Sequence, residues 1–154
     1  MIGKSMKVHM IVLVEPDLGK AVEFFNKIGC DLKFHLEGKW AEFAFGDVKI
    51  GLWPMEMEAV ERHTGIVFEI PDMNEAVKSM KEAGVEFVKE PVEAVHGIMG
   101  SFKSPGGNVF DLYQPTPDKV KDFIQQMREQ GATETAEACI ESSCCGCDDD
   151  CCSK

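Results

Sequence analysis

Cysteine is nearly absent from the first 130 residues of this 154-residue chain: Cys30 stands alone there, and the other six crowd between Cys139 and Cys152. A secreted domain stapled by disulfides spreads its cysteines through its core, so that class is excluded. No apolar run approaches the roughly 20 residues that cross a bilayer. The stretch Met1 to Met10 lacks the apolar segment of a secretory signal. Basic residues are also scarce: 16 Lys and Arg stand against 27 Asp and Glu, a formal net charge of −11. That balance argues against nucleic acid or an anionic membrane as a partner, and a cytoplasmic location is the simplest expectation. There is no Gly-rich phosphate loop, nucleophile elbow or His-x-x-x-His zinc motif.

What is present is a repeat. Pro16-Asp17-Leu18-Gly19-Lys20-Ala21-Val22-Glu23-Phe24-Phe25-Asn26-Lys27-Ile28-Gly29 returns, without a gap, as Pro71-Asp72-Met73-Asn74-Glu75-Ala76-Val77-Lys78-Ser79-Met80-Lys81-Glu82-Ala83-Gly84. A self-match of this kind marks a duplicated supersecondary unit. Each copy predicts a helix, over 17–28 and 72–83. Asp17 and Asp72 are N-cap candidates, Glu75 has the spacing of a capping box, and Gly29 and Gly84 are the stops. The apolar stripes Leu18, Ala21, Val22, Phe25, Ile28 and Met73, Ala76, Val77, Met80, Ala83 follow helical spacing. They are read as core.

Around each helix the pattern predicts strands. In the first unit these are 7–14, 32–36, 40–45 and 48–53, with tight turns at Glu37-Gly38-Lys39 and Gly46-Asp47. Residues 54–62 form a Met-rich link with room for one helical turn. The second unit has 64–70, 86–88, a loop over 89–97, then 98–103 and 108–113, the last two joined by the Ser104-Pro105-Gly106-Gly107 turn. A third helix opens at Thr116-Pro117 with a hydroxyl cap and Pro at its first position; Val120, Phe123, Ile124 and Met127 mark its apolar face. The domain occupies 1–116, the third helix 117–130, and an acidic, Cys-rich tail 131–154. That tail offers too little apolar surface to offset an ordering entropy of ~1–2 kcal/mol per residue, so disorder is expected there.

The paired βαβββ units resemble the vicinal oxygen chelate superfamily, which holds the glyoxalases, bleomycin-resistance proteins and extradiol dioxygenases. Two stretches carry the resemblance: Met10 to Asp17 leading into Phe24-Phe25, and Lys89-Glu90-Pro91 running through Ser104-Pro105-Gly106-Gly107-Asn108 to Asp111-Leu112-Tyr113. It implies an α+β fold in which two half-barrels surround a cavity. In metal-dependent members it also implies four inward ligands for Zn, Ni, Fe or Mn. Those positions fall here on Met10, Gly51, Gly65 and Asp111, with His9 and His63 close by. A complete cavity metal site is therefore not expected; His9 and Asp111 would be its ligands if one formed.

The leading expectation is a small-molecule binder of the bleomycin-resistance type, without a cofactor in the cavity. Trp40, Trp53, Phe102 and Tyr113 are candidate stacking residues for an organic ligand. Glu69, His96 and Asp111 are the polar candidates, Glu69 and Asp111 because a carboxylate in an apolar strand needs a partner. The resemblance implies a homodimer with pockets partly at its interface. One alternative is a divergent metal-dependent lyase, isomerase or dioxygenase. Another places function in the tail, where Cys144, Cys145, Cys147, Cys151 and Cys152 would bind a soft cation such as Zn²⁺ or Cu(I), or a trivalent metalloid. S-palmitoylation and an inert tail compete with that reading.

Overall fold

In the computed structural model, which describes residues 6–131, the repeat becomes two four-stranded sheets, each with its helix. The first unit comprises β1 (Met10–Val14), α1 (Leu18–Lys27), β2 (Asp31–Leu36), β3 (Trp40–Phe45) and β4 (Val48–Trp53). The second comprises β5 (Arg62–Glu69), α2 (Met73–Glu82), β6 (Glu86–Glu93), β7 (Gly97–Lys103) and β8 (Asn108–Pro115), and α3 (Pro117–Glu129) follows. Strand order is β1-β4-β3-β2 in sheet A and β5-β8-β7-β6 in sheet B. In each sheet the first strand lies parallel to the fourth. These are the paired βαβββ units and the α+β class expected from the sequence.

The fixed letters of the repeat are its helix ends. The Asp17 carboxylate accepts from the Lys20 N–H at 3.0 Å, and the Asp72 carboxylate from the Glu75 N–H at 2.9 Å. At the far ends, the N–H groups of Gly29 and Cys30 fold back onto the carbonyls of Asn26 and Phe25. Those of Gly84 and Val85 do the same onto Lys81 and Met80. This closure needs a left-handed residue, and Gly29 and Gly84 supply it with φ of 83° and 84°.

Three local expectations are corrected. β6 runs on to Glu93 where a loop was expected. Its register breaks twice, which destroys the alternation, and it lies at the edge of its sheet, where Pro91 is tolerated. The link over 54–61 contains no helical turn. Thr116 stands at the N-cap of α3, but its hydroxyl makes no capping bond.

Side-chain alternation divides each sheet into a covered face and an open one. The covered faces present Ala41, Phe43, Ile50 and Leu52 from sheet A, and Phe102, Phe110 and Leu112 from sheet B. With the stripes of α1 and α2 they form one core cluster. Phe25 of α1 reaches both sheets, its ring centroid 5.2 Å from Phe43 and 5.9 Å from Phe110. Phe45 and Phe68 meet across the units at 4.9 Å. Each buried phenylalanine contributes about 1.5–3 kcal/mol, and these shared rings tie the two halves together.

A buried acid pins the seam. Glu15 is fully enclosed, and its Oε1 accepts from the Ser104 hydroxyl and, at 2.8 Å, from Asn108 Nδ2. Arg62 donates to the main-chain oxygens of Val14 and Gly106. A Cβ on Gly106 would lie 2.2 Å from Glu15 Oε2, so the turn needs glycine there. The sequence displays the turn, but not the acid that fills it from 89 residues away.

Candidate functional site

The open faces carry the side chains that the core does not use. On sheet A, Phe34 pairs with Glu42, which pairs with Gly51, which in turn pairs with Val12; Leu36 pairs with Trp40. Val12, Phe34, Leu36 and Trp53 are each about half exposed, at 50%, 52%, 48% and 50%. Exposed apolar side chains gathered on one face make that face a candidate interaction or ligand site.

Trp40 organises that face. Its indole lies across Gly51: a Cβ at position 51 would fall 2.5 Å from ring atoms Cη2 and Cζ2, and 3.0 Å from Met10 Sδ. The indole Nε1–H donates to Glu42 Oε1 at 3.0 Å, while Lys49 Nζ donates to Oε2 at 3.3 Å. The indole bond first, and then Lys49, holds the Glu42 carboxyl below the usual range. Glycine thus makes room for a ring, and a carboxylate fixes its edge.

On sheet B the rows are Val92, Met99, Tyr113, Glu69 and Lys89, Ser101, Asp111, Val67. The Ser101 hydroxyl donates to Asp111 Oδ1 at 2.6 Å. Tyr113 lies over Gly97, where a Cβ would sit 2.8 Å from its Cε2, and the Tyr113 hydroxyl donates to the His96 carbonyl at 3.1 Å. Burial, and then the charge of Glu69, pushes the Tyr113 hydroxyl up from its ordinary pKa. The His96 ring stands edge-on to Tyr113 at 5.0 Å and to Phe123 of α3 at 5.6 Å.

The expected site residues therefore divide between two surfaces. Trp40 and Trp53 share the open face of sheet A; Glu69, Asp111 and Tyr113 share that of sheet B, with His96 at its end. Both faces turn away from the shared core, so one chain does not enclose Trp40 and Asp111 together. Phe102 lies on the covered side, 1% exposed and stacked on Phe110 at 5.4 Å; it is a core residue. Glu69, expected to need a buried partner, is exposed. His9 is also exposed, and its charge reaches Glu42. The tail cysteines Cys144, Cys145, Cys147, Cys151 and Cys152 lie outside the described residues. Glu42, Lys49 and Ser101 were missed as site residues. Glu42 was within reach of alternation alone, two positions after Trp40.

The four positions onto which the family resemblance places cation ligands carry few donors here. Met10 supplies a thioether; Gly51 and Gly65 supply no side chain, and Trp40 occupies the room a ligating group at position 51 would need. Asp111 is engaged by Ser101. Among the described residues no three His, Cys, Asp or Glu side chains converge. Clefts of about 340 and 500 Å³ lie elsewhere, at the seam beside Lys103 and at the start of α1 beside His35.

The chain belongs to the Glyoxalase/Bleomycin resistance protein/Dioxygenase superfamily, whose model matches residues 7–112. It is 30% identical over 115 residues to YetH of Bacillus subtilis, covering 69% of this chain and 96% of that protein. In structure it is similar to the fosfomycin resistance protein FosX from Listeria monocytogenes (TM-score 0.62, 20% identity, 77% of this chain and 98% of that one). It is also similar to TnmS3, an antibiotic binding protein from Streptomyces (TM-score 0.59, 24% identity, 72% and 97%). No helix among the described residues is long and apolar enough to cross a membrane.

Proposed function

We propose that this chain binds a small organic molecule on its open sheet faces and does so without a complete metal site. The observation that carries this reading is the seat at Gly51. A position that would otherwise carry a ligating side chain is emptied to admit the Trp40 indole, and Glu42 holds that ring by its Nε1–H. An aromatic face with an apolar surround and a few fixed polar groups is the composition of a ligand pocket. The ligand is a flat organic molecule stacked on Trp40 and Trp53. The polar contacts come from Asp111, Ser101 and Tyr113, on a face that turns away from those tryptophans. A second copy of the chain therefore completes the site, laying its sheet B over this sheet A and covering the half-exposed Val12, Phe34 and Leu36. The antibiotic-binding and fosfomycin-resistance proteins among the structural relatives support a protective role, in which the chain sequesters a toxic compound.

The test is elemental analysis of a chain ending at Gln130, which removes the tail thiols, alongside its Asp111→Ala variant. No stoichiometric Ni, Zn, Fe or Mn is expected in either. One equivalent of metal that disappears with Asp111→Ala would replace this reading with that of a metal-dependent enzyme.

A further inference from the structure

The attachment of α3 differs from that of the other two helices. α1 buries four residues and α2 two, whereas the 13-residue α3 buries none. Its N-cap hydroxyl makes no capping bond. Three ties reach from α3 and its cap to the segment around His96: the Thr116 N–H bonds to the His96 carbonyl at 3.2 Å, Lys119 pairs with Glu93, and Phe123 rests edge-on against the His96 ring. Val120, Phe123 and Ile124 are only partly covered, and a helix of this length is marginal without fuller packing. The closed position also carries a penalty, because His96 Nδ1 is buried with no hydrogen-bond partner. The same imidazole also stands edge-on to Tyr113, on the open face of sheet B.

We propose that α3 is a displaceable cover over a subsite formed by the His96 ring nitrogen and the Tyr113 ring. Lifting α3 frees Nδ1 to bond and bares the ring beside it. The subsite takes the hydrogen-bonding edge of a flat aromatic molecule. Its role as a ligand subsite rests on the small-molecule reading above; the displacement of α3 does not.

Hydrogen exchange on the full chain tests the displacement without any ligand. Amides of residues 121–129 should exchange at least tenfold faster than those of residues 22–27 in α1. Phe123→Ala should raise the rate of His96 carbethoxylation by diethyl pyrocarbonate at least fivefold, with the exposed His9, His35 and His63 unchanged as internal references. Lys119→Glu should act in the same direction. Equal protection in α1 and α3, or a His96 rate indifferent to both variants, would overturn the cover. The subsite is probed with 1-anilinonaphthalene-8-sulfonate, which has fused rings and a hydrogen-bonding edge. Phe123→Ala should tighten its Kd at least threefold, and adding His96→Ala should abolish the gain. An unchanged Kd would leave α3 mobile but refute the subsite.

Discussion

The two halves of the chain share a skeleton and differ on their open faces. Helix caps at Asp17 and Asp72, stops at Gly29 and Gly84, and phenylalanines on the covered faces repeat from one unit to the other. Each open face also seats a ring over a glycine, Trp40 over Gly51 and Tyr113 over Gly97. There the likeness ends. On sheet A the half-exposed Val12, Phe34, Leu36 and Trp53 share the face with Glu42 and Lys49, whereas on sheet B Asp111, Ser101, Glu69 and His96 stand beside Val67, Val92 and Met99. The core constrains both halves alike because they share it; the open faces are free of that constraint and differ. Both tryptophans lie on the sheet A face, and the Ser101–Asp111 pair and the tyrosine lie on the sheet B face.

The largest expected effect tests the shared core. Phe25→Ala should lower the unfolding free energy by about 3–5 kcal/mol. Because Phe25 touches both sheets, urea should still give one transition rather than two. Separate transitions for the two units would break the comparison at its root. At the seam, Glu15→Ala removes the acceptor of the Ser104 hydroxyl and one of the two acceptors of the Asn108 amide, at a cost of roughly 1–3 kcal/mol. Glu15→Gln keeps an oxygen in place and should cost less in the same melts.

The two ring seats should respond differently. A methyl on Gly97 would meet the main-chain oxygen of Gln114 at 2.2 Å, as well as Tyr113. Main chain cannot swing aside, so Gly97→Ala should destabilise by about 1–3 kcal/mol. The same change at Gly51 meets only side chains, Trp40 and Met10. Its cost in thermal melts should be smaller, while the Trp40 emission spectrum shifts as the ring is displaced. Equal stability losses at the two glycines would contradict the geometry of the seats.

The smallest effect is one of pH. The Glu42 carboxyl is held below the ordinary glutamate value of 4.5 by Trp40 and Lys49. The ion pair and the indole bond are therefore intact above that value, and they are lost as pH falls through the depressed one. Tryptophan emission should change only in this acid range, and Glu42→Gln should remove the change. An emission change centred near neutral pH would assign it to another group.

Most of this fold was legible because the signals are local. The Asp caps and the Gly stops each act within five residues, the repeat shows them twice, and strands β3 and β4 fall where they were expected. The sequence pattern shortens β6 because two register breaks hide its period and Pro91 imitates a loop. The site was legible only in part. Trp40, Trp53, Asp111 and Tyr113 were recognisable as side chains in need of an explanation, and the structure puts all four on open faces. Phe102 looked equivalent, but a phenylalanine in a strand carries no mark of which face it takes until its register is known. Contacts across the seam, such as Glu15 with Ser104, depend on how two units dock, and nothing local encodes that.

Tryptophan fluorescence offers the most direct measurement of the central claim, that the open faces bind an organic ligand unaided by a cavity metal. The full chain, stripped with a chelator and reduced, is titrated with metal-free bleomycin, and the titration is repeated with Mn²⁺ present. The account predicts saturable quenching with the same Kd in both, weakened at least tenfold by Trp40→Ala while the melting temperature stays within a few degrees. Quenching that appears only with the metal, or that is indifferent to Trp40, would contradict it.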